Sequence, residues 1–150
     1  MTTIYLDADS CPVREEVEKV ITRHSLNLIV VSNGGIRPSK NLLIKNIIVP
    51  KQPDAADIWI LSHITCDDVV ITADLPLAKE CLKQNAHVLK HNGDIYTRDN
   101  IDNLIATRNL MADMRSENPM FQNKNKPFST KDRSRFLDSL EREIQRAILK

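Results

Sequence analysis

Five aspartates stand where alternating strands and helices would place reactive groups. Asp7 and Asp9 follow the apolar run Ile4-Tyr5-Leu6, Asp54 and Asp57 open a helical stretch, and Asp74 follows Val69 to Thr72. Asp54 and Asp57 are three residues apart and so share one helical face. Carboxylates packed together repel, and each is driven toward neutrality or a partner. A hard divalent cation, Mg²⁺ or Mn²⁺, relieves that repulsion, because it takes oxygen ligands from carboxylates, water and substrate phosphate. Such an ion polarises a phosphodiester and activates water. The chemistry expected here is metal-assisted hydrolysis of a phosphate ester.

Two other roles compete. An aspartate at a strand-to-helix junction is an ordinary N-cap, worth about 0.5–2 kcal/mol. Asp9, Asp54 and Asp74 each suit that place, and Asp57 suits a first helical turn, where negative charge is favoured. Asp7 suits neither, and five aspartates at one edge favour a shared site. The string Asp7-Ala8-Asp9-Ser10-Cys11 also looks like the DxDx(T/V) signature of haloacid-dehalogenase-type phosphatases, in which the first aspartate attacks phosphorus. That chemistry needs a further acidic pair after a later strand. Asp67-Asp68 precedes its strand instead, and Cys11 stands where Thr or Val is expected, so the phosphatase is the weaker alternative.

The elements that must position these groups alternate in texture. Strands are expected at Ile4–Leu6, Leu26–Val31, Asn46–Val49, Val69–Thr72 and, last, Ala86–Leu89. Helices are expected at Pro12–His24 with Asp9 or Ser10 as cap, Ala55–Ile64 capped by Asp54, Leu75–Asn85, Asp99–Met114 and Lys131–Lys150. The helix from Asp99 draws its apolar stripe from Ile101, Leu104, Ile105 and Met111, and the last helix steps by four through Phe136, Leu140, Ile144 and Ile148. Glu117–Ser129 reads as a polar, irregular arm. This order implies an α/β fold, a three-layer sandwich around a mostly parallel sheet. Parallel strands present their carboxyl ends on one edge, where such sheets bind ligands. We read 1–116 as an α/β core and 117–150 as a basic arm and helix packing on it, within a single domain.

The chain has 150 residues, which fits one domain, and its 41% hydrophobic content supports a real core. With 21 basic and 20 acidic residues, bulk electrostatic coating of nucleic acid is excluded. The balance is uneven, because residues 1–100 carry 11 basic and 13 acidic side chains and residues 101–150 carry 10 and 7. Aromatic residues, at 4%, are too few for a base-stacking platform. The three cysteines form no CxxC pair, which suits free thiols in a reducing compartment. Without a long apolar run or a leader-like N-terminus, a cytoplasmic protein with no membrane partner is expected.

The segments DADSCPV at 7–13, SN at 32–33, DAADIWI at 54–60, ITADLPLA at 71–78, IYTRDNI at 95–101 and PFSTKDRSRFLDSL at 127–140 resemble the bacterial YaiI/YqxD family, which is grouped with the PIN-like nuclease superfamily. The resemblance runs through most of the chain. It implies a PIN-like fold and, by motif match, Asp7, Asp57 and Asp74 as catalytic metal ligands with Asp9 and Asp54 supporting. It also implies Mg²⁺ or Mn²⁺ as cofactor and RNA as the molecule cleaved. A separate alternative, of a different class, is a non-catalytic RNA-binding module that retains the acidic pocket as a structural or regulatory metal site. Family members usually carry Gly-Gly-Pro shortly before the C-terminal Pro-Phe, where this chain has Asn123-Lys124-Asn125.

For substrate phosphate, Asn33, Arg37 and Lys40 lie in the loop after the second strand, expected on the acidic edge beside Gly34-Gly35. A plain solvated turn is the simpler reading of that loop, and no Walker A spacing is present. Lys131, Arg133 and Arg135, with Lys124 and Lys126, form the clearest basic cluster, able to contact backbone phosphates. Basic charge at a helix start opposes the helix dipole and needs a reason. His24, His63, His87 and His91 have no metal-ligand spacing with the cysteines. Cys11, beside the acids, is a poor nucleophile. Trp59 reads as core packing. The last helix reads as docked on the core, although an exposed stripe there would suit a homodimer. No protein partner is identifiable.

Overall fold

A computed structural model describes residues 2–8, 13–34, 40–52, 54–117 and 128–149. Its strands are β1 (Thr3–Asp7), β2 (Asn27–Ser32), β3 (Ile44–Ile48), β4 (Val69–Ile71), β5 (His87–Leu89) and β6 (Ile95–Tyr96). Its helices are α1 (Arg14–His24), α2 (Ala55–His63), α3 (Leu75–Lys83), α4 (Ile101–Glu117) and α5 (Thr130–Ile148). The six strands form one sheet in the order β3-β2-β1-β4-β5-β6. All neighbours are parallel except β5 and β6. This is the expected α/β sandwich in three layers.

Strand alternation builds two cores. Ile4 and Leu6 of β1 face the core under α1 and α5, together with Val17, Ile21, Phe136, Leu140 and Ile144. Tyr5 faces the other core, under α2, α3 and the start of α4, with Ile60, Leu77, Ala78 and Ile101. The helices divide this way because the chain reverses. It winds outward from β1 to β2 and β3, then returns to β4 on the far side of β1. Right-handed crossovers in opposite directions must lie on opposite faces. The reversal leaves a switch point between β1 and β4, at the edge where both strands end.

Several expectations need correction. Helix α1 starts at Arg14, and its N-cap is Val13, not Asp9 or Ser10, with no side-chain capping bond. A sixth strand, β6, follows the strand expected to be last. It is only two residues long, which is too short to show periodicity, and it pairs antiparallel through the turn at Gly93. That turn packs tightly on α5. A Cβ at Gly93 would lie 2.8 Å from Arg135 backbone atoms, and Ser139 Oγ donates to the Gly93 carbonyl at 2.7 Å. Helix α4 runs on to Glu117, three residues past its expected end. Of its stripe, Ile101 is buried, but Leu104 is 38% exposed, because α4 is covered mainly where it meets α3.

The last helix departs from its four-residue step. Phe136, Leu140 and Ile144 are fully buried, while Ile148 is 48% exposed and Ala147 is buried instead. Each step of four overshoots a 3.6-residue turn by about 40°, so three steps rotate a side chain about 120° off the face. Among the described residues, no helix is long and apolar enough to cross a membrane.

Candidate functional site

Asp7 ends β1 on the Tyr5 side of the sheet, two positions on, and is 6% exposed. Its neighbour across the switch point is Thr72, which directly follows β4 and is fully buried. The Thr72 hydroxyl donates to Asp7 Oδ2 at 3.0 Å and accepts the Asp74 backbone N–H at 3.0 Å. One hydroxyl therefore ties the two strand ends together. Asp74 then caps α3, its Oδ1 accepting the Leu77 N–H at 3.0 Å.

Asp54 and Asp57 reach the same place from α2. Asp54 occupies the N-cap position, yet its side chain makes no capping bond. Its backbone is left-handed, with φ of 64°, a conformation aspartate tolerates better than most residues but that still costs about 1–3 kcal/mol. The capping explanation thus holds for Asp74 and fails for Asp54. Asp57 sits half-buried in the first turn. Burial pushes its carboxyl up to about 6, and the charges of Asp74, Asp7 and Asp54 push the same way. Four carboxylates from three distant segments therefore share one field at the switch point. The field extends inward to Cys81, whose thiol is raised to about 12, first by burial and then by Asp57 and Glu80.

Carboxylate oxygens are the donors that Mg²⁺ and Mn²⁺ prefer, and excess acid is what such a cation relieves. In donor type the residues fit. Among the described residues, however, no three His, Cys, Asp or Glu side chains close around a point that would hold one ion. Asp9, the fifth proposed ligand, lies outside the described residues, as do Arg37, Cys11, Lys124 and Lys126.

The phosphate-binding candidates divide. Asn33 is exposed just past β2, on the acidic edge. Lys40 is not on that edge. It precedes Asn41, whose side chain donates to Thr22 Oγ1 near the end of α1, at the edge where the strands begin. The physical reason is that β2 and β3 are parallel, so the loop must carry the chain back the length of a strand. Lys131, Arg133 and Arg135 start α5 at the edge that carries the acids, but over the face packed by α1. Arg133 Nε lies 2.9 Å from Glu16 Oε1, with its guanidinium 5.7 Å from the Phe128 ring centroid. Arg135 Nη2 lies 2.8 Å from Asp94 Oδ1. Ser129 and Asp132 form a reciprocal capping box. These contacts supply the reason for basic charge at this helix start. Lys131 is exposed.

Farther along α5, His24 Nε2 lies 2.8 Å from Glu141 Oε1 and His87 Nδ1 lies 3.0 Å from Glu143 Oε2, so these histidines dock the helix. Trp59 packs at the rim of the second core and stacks on His63 at 3.9 Å. Asp68 is 3% exposed at the opposite edge and accepts the Thr3 and Thr65 backbone N–H groups. It is a structural residue, and no acidic pair follows β4. Sequence reasoning missed Thr72. Its one signal was a hydroxyl at the end of an otherwise apolar strand, two residues before an aspartate.

Comparison with known proteins agrees with the motif resemblance. The profile of the family described as "Uncharacterized BCR, YaiI/YqxD family" matches residues 5–146. A UPF0178 protein of Ruegeria pomeroyi is 56% identical over 148 residues, covering 98% of this chain and 96% of that protein. A UPF0178 protein of Roseobacter denitrificans is 52% identical over 147 residues, covering 98% and 97%. One from Parvibaculum lavamentivorans is 46% identical over 145 residues, covering 97% and 95%. No solved structure matches the chain.

Proposed function

The chain belongs to the YaiI/YqxD family, and from that premise we propose that it is a Mg²⁺- or Mn²⁺-dependent nuclease of PIN-like type that hydrolyses RNA phosphodiesters. The observation that carries this is the convergence of acids from three segments at the switch point, where the Thr72 hydroxyl joins Asp7 to the Asp74 backbone, and where burial, then the charges of Asp74, Asp7 and Asp54, raise the Asp57 carboxyl. Asp7, Asp57 and Asp74 are the residues that would hold the cation, with Asp54 beside them and Asp9 adjacent in sequence. A bound divalent cation supplies Lewis-acid polarisation of the phosphate and a water of lowered pKa. The chain's own part is positional. Thr72 fixes Asp7 relative to Asp74, the α3 cap holds Asp74 in place, and α2 brings Asp57 to them over the same face of the sheet.

The second function is an RNA-binding module that keeps the acidic pocket as a structural or regulatory metal site and does not cleave. A labelled single-stranded RNA, incubated with the protein and Mg²⁺ or Mn²⁺, separates the two. Cleavage abolished by EDTA, and reduced more than ~100-fold in Asp7→Asn, supports the nuclease. Binding without cleavage under every metal supports the module. Turnover of a phosphomonoester with a trapped aspartyl phosphate would overturn both in favour of the phosphatase.

A further inference from the structure

A second feature lies on the outer face of the molecule, between α3 and α4. It is a cleft of about 330 Å³ lined by Lys79, Leu82, Lys83, Arg98, Ile101 and Asp102. Three of these side chains are cationic and one is acidic. Leu82 and Ile101 give it a buried apolar floor.

The cations are arranged along a line. Lys79 and Lys83 are four residues apart on α3 and so share a face, about 6 Å apart along the axis. That rise is close to the spacing of successive phosphates in an extended strand. Arg98 stands beyond them. Its Nε and Nη2 donate to the carbonyls of Leu82 and Lys83, and Nη2 also donates to the Asn85 side chain. These bonds cap the end of α3 and hold the guanidinium rigid, while Nη1 takes no part in them. The line leads toward the acidic edge, since Asp74 is the N-cap of the same helix. Lys79 Nζ is held 2.8 Å from Asp102 Oδ1 and Lys83 Nζ 3.0 Å from Glu80 Oε1, but all four side chains are solvent-exposed, and exposed pairs of this kind are readily exchanged for a stronger acceptor.

We propose that this α3–α4 cleft binds the phosphate backbone of a single-stranded RNA and guides it toward the carboxylates at the switch point. The proposal rests on the nucleic-acid function above and adds the path of the strand. The contacts it invokes are to phosphate, so it implies affinity without base specificity.

The test is anisotropy of a labelled single-stranded RNA titrated with the full chain in EDTA, over a series of salt concentrations. Lys79→Gln/Lys83→Gln should weaken binding about tenfold at low salt and flatten the log–log salt slope by about 1.4, as for two lost contacts to a single strand. Asp102→Asn should act the opposite way and tighten binding, because it removes an acid and frees Lys79. Lys45→Gln on the outer strand β3 should change nothing. Circular dichroism melts show that each variant is folded. Unchanged affinity and slope in the double variant, or no RNA binding by the wild type, would overturn the proposal. If RNA binds and is cleaved while the double variant behaves as wild type, the cleft assignment fails and the nuclease survives. If the double variant loses binding but no metal yields cleavage, the nuclease fails and the cleft stands.

Discussion

Replacing Asp57 with Asn removes the group that reports the acidic field, at nearly constant shape. The folded carboxyl is raised from 3.8 to about 6 by burial and by Asp74, Asp7 and Asp54. A raised carboxyl holds its proton more tightly in the folded state than in the unfolded one. Its stabilising contribution is therefore complete below the unfolded value and is lost as pH rises through about 6. Above that, ionised Asp57 works against the fold. A shift of this size corresponds to at most about 3 kcal/mol. Asp57 is only half-buried, and water screens it, so about 1 kcal/mol is the realistic cost. For a chain of this length that is about 2–4 °C in melting temperature. Without divalent metal, Asp57→Asn should melt higher than wild type by about that amount at pH 8, and by a small fraction of it at pH 4. Calorimetry in EDTA at the two pH values measures the difference. Adding Mg²⁺ or Mn²⁺ at pH 8 should raise the wild-type midpoint and narrow the gap, because a ligand that binds only the folded state stabilises it. A variant less stable than wild type at pH 8, or equally stabilised at both pH values, would refute the raised Asp57 carboxyl that burial and the neighbouring acids produce.

Two further substitutions test the scaffold. Thr72→Val keeps the shape but leaves Asp7 Oδ2 and the Asp74 N–H without the hydroxyl, and should cost about 1–3 kcal/mol in denaturant unfolding, with Thr72→Ser restoring most of it. A loss below about 0.5 kcal/mol would show that the bridge does not bind the strand ends together. Phe136→Ala should cost about 3–5 kcal/mol, whereas Ile148→Ala should fall within about 0.5 kcal/mol of wild type. Equal losses at the two positions would contradict the observed phase of α5.

Much of the fold was readable along the chain because its strands are short apolar runs ended by polar turns. Leu28, Val30, Val69, Val70 and Ile71 are all fully buried, and such runs have few alternatives to a central parallel strand. The positions of the acids relative to those runs were readable too, since a residue following a parallel strand has only one edge to occupy. Errors arose where a local pattern met a constraint carried by distant residues. Ile148 continued a numerical step that the helix does not follow. Leu104 belongs to an apolar stripe that α3 covers only in part. Lys40 shares a loop with Asn33, but the parallel pairing of β2 and β3 sends the two ends of that loop to opposite edges.

The aspartates, their spacing and their places after apolar runs are properties of the sequence alone, as is the alternation that demands a parallel sheet. Which face each acid takes is a property of the assembled sheet. Asp7 meets Thr72 because β1 and β4 become neighbours only when the chain reverses at β3, and no local interaction records that reversal. Asp57 owes its raised carboxyl first to burial and then to charges 17 and 50 positions away as well as in its own turn, and both exist only in the assembled fold. Charge repulsion depends on distance in space, and only the tertiary fold turns separations along the chain into those distances.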